Sequence, residues 1–256
     1  LVFSVARPGA DGKRYVRDLY RAPADGDGPV LRLTRGESND HSPRCRPDGS
    51  VLFLSGRADP DAKAGSTSAD EDGPATQLWC LPATGEARQV TRRPASLSGF
   101  ACAARADAVV FRGAVHPDAT DLELDRARAN ERRDSGSTGS GFDTLPIRFW
   151  DRFFGPRYDH LFHAASPDDE AGRDLTPGAT IEYDDLSFDV SPDGRYAIAA
   201  ERERDEEGRF FENLRLFELG SGRSWRITRG RDSYTSPRFS PDSTHVVAVF
   251  HENVKG

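Results

Sequence analysis

Ser191-Pro192-Asp193-Gly194, followed by the alternating run Tyr196-Ala197-Ile198-Ala199, is the stretch that decides the fold. An Asp-Gly pair between two strand-like runs marks a tight hairpin, because the turn needs a positive φ that glycine adopts at no steric cost. The phrase recurs as Arg46-Pro47-Asp48-Gly49 before Val51-Leu52-Phe53-Leu54, and as Ser240-Pro241-Asp242-Ser243 before the run from His245 to Phe250. A hairpin repeated along a chain implies a repeat architecture, so the unit is settled before any single residue.

A second marker closes each unit: an apolar residue and threonine, at Leu33-Thr34, Val90-Thr91, Leu175-Thr176 and Ile227-Thr228. Between the two markers lies another strand pair. Gln77-Leu78-Trp79-Cys80-Leu81 meets Ala87 to Thr91 across Ala83-Thr84-Gly85-Glu86, and Asn213 to Leu219 meets Ser224 to Thr228 across Gly220-Ser221-Gly222. Four short strands per unit describe a propeller blade. The threonines are spaced 57, 85 and 52 residues apart, so the long interval carries an insertion, near 116–157, between the second and third strands of its blade.

The expected fold is therefore all-β: a partial β-propeller of four-stranded antiparallel blades, with about three full blades, partial end blades and a helical insertion in one blade. The blades fall at about 1–34 (partial), 42–91, 97–176, 185–228 and 236–256 (partial). The chain contains no Met and looks cut from something longer, which leaves its cellular compartment open.

Charge narrows the partners. With 35 Lys and Arg against 42 Asp and Glu the net charge is −7, which disfavours nucleic acid, since phosphate neutralisation needs clustered cations. No apolar run is long enough to span a membrane as a helix. Cys45, Cys80 and Cys102 show no metal-ligand spacing and read as buried core thiols on strands. No metal or cofactor is expected. His251-Glu252 lacks the second histidine of a zinc helix, and the acidic stretch around Asp59, Asp61 and Asp70 has Lys63 at a ligand position of a calcium loop. Nothing fits G-x-S-x-G; Gly136 to Gly141 has the wrong spacing and reads as a linker.

Within the insertion, Asp118 to Asp134 has acids early and bases late, as a helix dipole favours, with few apolar positions, which predicts a weakly amphipathic surface helix. An aromatic cluster follows: Phe149, Trp150, Phe153, Phe154 and Tyr158, interleaved with Arg148, Arg152 and Arg157. These rings either pack the insertion onto its blade or form a rim beside a ligand or second domain.

The repeated hairpins resemble the β-propeller of serine peptidases of the prolyl oligopeptidase family. The helix followed by Leu145-Pro146-Ile147-Arg148-Phe149-Trp150-Asp151-Arg152-Phe153 is similar to their dipeptidyl-peptidase and acylaminoacyl-peptidase branch. The resemblance implies a propeller that caps a C-terminal α/β-hydrolase domain, absent from this chain, which bears a Ser-Asp-His triad and receives short peptides. It implies that no catalytic residue lies here, and leaves Arg148, Trp150 and Asp151 as candidates for substrate gating or the domain interface. TolB-like propellers share the hairpin signature, so a non-enzymatic protein-binding propeller is the alternative.

Overall fold

The computed structural model describes residues 1–10, 12–36, 38–59, 69–70, 73–136, 148–149, 152–153, 156–166 and 169–253. The first sheet holds β1 (Val2–Pro8), β2 (Tyr15–Arg21) and β3 (Leu31–Arg32). The second begins with β4 (His41–Cys45) and β5 (Val51–Ser55). After a small ribbon of β6 (Ala69–Asp70) and β7 (Gly73–Pro74), it is completed by β8 (Gln77–Leu81) and β9 (Arg88–Gln89), in the order β4-β5-β8-β9. The third sheet opens with β10 (Leu97–Cys102) and β11 (Val109–Val115). The chain then departs through helix α1 (Leu122–Asp134) and the ribbon β12 (Arg148–Phe149) and β13 (Arg152–Phe153), and returns as β14 (Tyr158–Ala164) and β15 (Arg173–Asp174). The fourth is β16 (Phe188–Val190), β17 (Tyr196–Arg204), β18 (Phe210–Glu218) and β19 (Ser224–Arg226), and a hairpin of β20 (Ser233–Phe239) and β21 (Val246–His251) follows. All pairings within these sheets are antiparallel, with the β6–β7 ribbon and the helical insertion looping out between paired strands, so the all-β reading of four-stranded antiparallel sheets stands.

Alternation along each strand supplies two buried faces. Leu52, Leu54, Leu78 and Cys80 of the second sheet pack on Val109, Phe111 and Phe162 of the third. The residues between them, Val51, Phe53 and Trp79, turn the other way onto Leu19 of the first. Val110 and Leu161 of the third sheet meet Ala197, Ala199 and Phe217 of the fourth, while Ile198, Ala200 and Leu214 pack toward Tyr234, Phe239 and Val246 of the hairpin. With a strand period of two, consecutive sheets stack face to face, and the core lies between them.

The threonine marker acquires a chemical reason. The hydroxyls of Thr34, Thr91, Thr176 and Thr228 accept the backbone N–H of Leu19, Leu78, Leu161 and Leu214 at 3.0, 3.0, 3.0 and 2.8 Å. Each hydroxyl thus ends its sheet by occupying a donor that the short last strand would leave unpaired. The residue before each leucine is a buried polar one: Asp18, Gln77, His160 or Asn213. Gln77 and Asn213 accept the threonine's own proton at 3.0 Å, and His160 bonds Asp174 at 2.7 Å and the Ala179 carbonyl at 3.0 Å.

The Ser-Pro-Asp phrase is equally specific. Ser191 Oγ donates to Asp193 Oδ1 (2.6 Å) and accepts from the Tyr196 N–H (2.9 Å), while Asp193 Oδ1 accepts from the Arg195 N–H (3.1 Å). Ser240, Asp242, Thr244 and His245 repeat the pattern.

Two expectations are corrected. Cys45 is exposed, unlike the buried Cys80, because it sits on the first, edge strand of its sheet; all three thiols are free. Helix α1 starts at Leu122 rather than Asp118, because Asp121 caps it by accepting the Leu124 N–H at 2.8 Å. The helix residue that is buried is Asp125, not a leucine, since its carboxylate accepts the His116 N–H at the end of β11.

Candidate functional site

Of the sequence candidates, Arg148 lies exposed on β12, its backbone paired with Phe153. Trp150 and Asp151 lie outside the described residues. What the structure does show is how the insertion is anchored. Arg126 of α1 donates to the Arg92 carbonyl (2.8 Å) and to Glu170 (2.5 Å), and Arg92 pairs with Asp59 at 2.7 Å. Beneath them the buried Arg93 lies 3.8 Å from the Phe162 ring centre and donates to the Ala171 carbonyl. Burial lowers its pKa to about 10. Polar clamps, rather than an apolar stripe, hold the helix to its sheet.

A different surface has the form of a binding groove. The first strands of successive sheets neighbour one another: β4 beside β10, β10 beside β16, and β16 beside β20. Each is the edge of its sheet, and in a propeller these edges line the central channel. A groove of about 370 Å³ runs along them, and its lining includes Arg44 of β4, Gly99 and Ala101 of β10, Asp189 of β16, Arg238 of β20 and the side chain of Arg112. A wider one of about 680 Å³ adjoins it between β1 and β4, beside Arg17 and His41. His41 is shifted below its ordinary pKa by burial and by Arg17.

Counted back from the hairpin turns, Arg44, Ala101, Asp189 and Arg238 occupy one equivalent position on β4, β10, β16 and β20. The strands carrying the two arginines share a further peculiarity. Ser42 and Ser236 hold φ of +55° and +52°, and the ladder register shifts beside each. A positive φ on a non-glycine residue is uncommon, and such bulges re-aim the side chains that follow. Proline follows both serines. The repeated Ser-Pro-Arg, at 42–44 and 236–238, was therefore a readable signal two residues upstream of the turn phrase.

The groove's charges divide into committed and open ones. Arg112 is buried and donates to Ser98 Oγ (2.7 Å) and the Leu186 carbonyl (2.5 Å), with Asp159 at 3.3 Å and Asp185 at 3.4 Å. Asp189 Oδ2 accepts the Phe239 N–H at 2.9 Å, tying β20 to β16. Arg44 and Arg238 are exposed, and each donates Nη1 to the carbonyl of its own preceding proline, at 3.0 and 2.6 Å. Nearby, burial pushes the Cys102 thiol up. Among the described residues no group of three or more His, Cys, Asp or Glu could hold a metal ion, and no helix is long and apolar enough to cross a membrane.

No protein-family model matches the chain. Dipeptidyl-peptidase 5 of Porphyromonas endodontalis is 24% identical over 260 residues, covering 96% of this chain and 34% of that protein. The chain thus spans about a third of that relative's length. Among solved structures, a TolB of Agrobacterium tumefaciens superposes with a TM-score of 0.53 at 17% identity, over 99% of this chain and 72% of that one. TolB of Acinetobacter baumannii gives 0.53 at 14% identity, over 99% and 48%. The structural likeness establishes a TolB-like propeller fold. The sequence likeness is to a peptidase.

Proposed function

We propose that this chain is the propeller part of a serine peptidase acting on short peptides, in which it controls access to an α/β-hydrolase domain. The observation that carries the reading is the similarity to a dipeptidyl-peptidase along nearly the whole chain. In this reading the missing domain supplies a serine nucleophile, a histidine base and an aspartate that orients it. The propeller selects by size: a folded protein cannot enter a channel lined by sheet edges, whereas a short extended peptide can. The insertion, with Arg148, Trp150 and Asp151, faces the second domain or the peptide entering beside it.

The test is to express the chain together with the sequence that continues it in its gene. Dipeptidyl or acylaminoacyl chromogenic amides should be cleaved by the joined protein and not by residues 1–256 alone, and a serine-reactive phosphonate should abolish the cleavage. Hydrolysis by the 256-residue chain itself would refute the division of labour. The likeness to the two TolB structures supports a second reading, a non-enzymatic propeller that binds protein. Further propeller repeats and then a stop, with no G-x-S-x-G turn, would favour it.

A further inference from the structure

We propose that the groove along the first strands is a carboxylate-binding site for acidic peptides, in which Arg44 and Arg238 are the recognising cations. The proposal rests on the groove itself and stands whether or not the chain belongs to a peptidase.

Four observations converge. First, the two arginines occupy equivalent positions on β4 and β20 and wall the same groove. Second, both follow a bulged Ser-Pro in which the serine holds a positive φ. Strained backbone of this kind persists only where the surrounding structure holds it, and it clusters at ligand-binding sites. Third, among the described residues neither arginine forms an ion pair, while Arg112 in the same groove is fully occupied. A guanidinium has five N–H donors in a planar fork that matches a carboxylate, and only one nitrogen of each is engaged here, by a proline carbonyl. Fourth, of the equivalent positions between the two cations, the one on β10 is the small Ala101 beside Gly99, and the one on β16 is Asp189, whose Oδ2 is already taken by the Phe239 N–H.

The neighbours refine the ligand class. Asp185 and Asp189 stand in the same groove. They repel a phosphate dianion more than a singly charged carboxylate, and the chain's net charge of −7 disfavours polyanions generally. The walls are also edge strands, along which an extended peptide lies more readily than a lone anion. A side-chain carboxylate and a C-terminal one share this chemistry, and the experiment separates them.

Calorimetric titration of the 256-residue chain would use Ac-Ala-Ala-Glu-NH2 against Ac-Ala-Ala-Gln-NH2, and Ac-Ala-Ala-Ala-OH against its amide. Tighter binding of the acid in the first pair assigns the site to acidic side chains, and in the second to the peptide C-terminus. Arg44→Ala with Arg238→Ala should weaken acid binding by about tenfold or more, as expected for losing charge-assisted hydrogen bonds. Arg223→Ala with Arg229→Ala removes the same charge from exposed positions elsewhere and should leave it unchanged. Arg44→Lys with Arg238→Lys keeps the charge without the fork and should fall between; it also serves as the measurement if the double alanine variant melts early. Equal affinity for acid and amide in both pairs, acid binding that survives loss of both arginines, an equal loss in the Arg223 and Arg229 control, or tighter binding of inorganic phosphate than of either acid would each overturn the proposal.

Discussion

Leu52, Ile198 and Val247 sit at one position of the repeat, on β5, β17 and β21, yet they are 0%, 0% and 68% exposed. The same contrast holds at the other end, where Phe53 is fully buried and its counterpart Phe3 on β1 is 37% exposed. Local sequence pattern is identical in the central and the end sheets; what differs is whether another sheet lies against the face. A single sheet in this molecule therefore has no core of its own. Its stability resides in the interfaces with its neighbours, as in other stacked-repeat proteins.

The largest consequence is a gap in the cost of truncation at equivalent positions. Leu52→Ala, between two covered sheets, should cost about 2–5 kcal/mol in urea denaturation, from lost transfer energy and a residual cavity. Val247→Ala should lie within about 0.5 kcal/mol of wild type, as surface changes do. Similar losses at both sites would mean that the β21 face is covered in solution and would break the comparison.

The fourth sheet, covered on both faces, also holds a buried charge. Glu201 is buried and accepts from Arg215 Nε (2.8 Å), Arg226 Nε (2.7 Å) and Tyr183 Oη (3.0 Å). Its register counterpart on β21 is the exposed Phe250. Burial opposes ionisation of Glu201, but the bonds from Arg215 and Arg226 outweigh it and hold the carboxyl below its usual range. The Tyr183 phenol is pushed up, first by burial and then by Glu201. With the folded pKa below the unfolded one, ionised Glu201 stabilises the fold at pH values above the unfolded pKa. That contribution is lost as pH falls through the folded value. Glu201→Gln should therefore cost about 2–3 kcal/mol at pH 7, the scale of hydrogen bonds to a buried charged group. Its melting temperature should converge on wild type in acid, and a difference that is constant from pH 7 down to the acid limb would show that the charge contributes nothing.

These features differ in how far they could be read beforehand. The hairpin turns and the threonines were legible because each is a local device: the Asp193 and Thr91 bonds lie within a few residues or one hairpin of their origin. The insertion was located because the interval between Thr91 and Thr176 is long. Asp125, by contrast, looked like one acid in a solvated helix, and its burial depends on contact with His116 across a loop. Cys45 failed for a related reason, since alternation assigns a face but does not say that the strand is an edge. The Ser-Pro-Arg repeat was present in the text at 42–44 and 236–238; its meaning needed the register, which shows both arginines on one groove.

The finest test compares the turns themselves. Gly194, in the fourth sheet, has φ +72°, and Ser243, at the equivalent place before β21, has φ +65°. A Cβ on Gly194 would stand 2.7 Å from the Ala106 Cβ of the adjoining turn, a contact between two atoms fixed to backbone. Gly194→Ala therefore meets both a left-handed backbone that alanine resists and a closed interface, for a cost of about 1–2 kcal/mol. Ser243→Gly relieves the same backbone strain in the end turn but removes an hydroxyl that accepts the Asp193 N–H (3.1 Å) and an Arg105 donor (3.2 Å). Gain and loss are each of the order of 1 kcal/mol, so this variant should melt close to wild type. A clear rise in its melting temperature would mean that the hydroxyl bridge between the turns of the fourth and fifth sheets contributes nothing. A clear fall would show that the end sheet is held by this bridge more than by its apolar face.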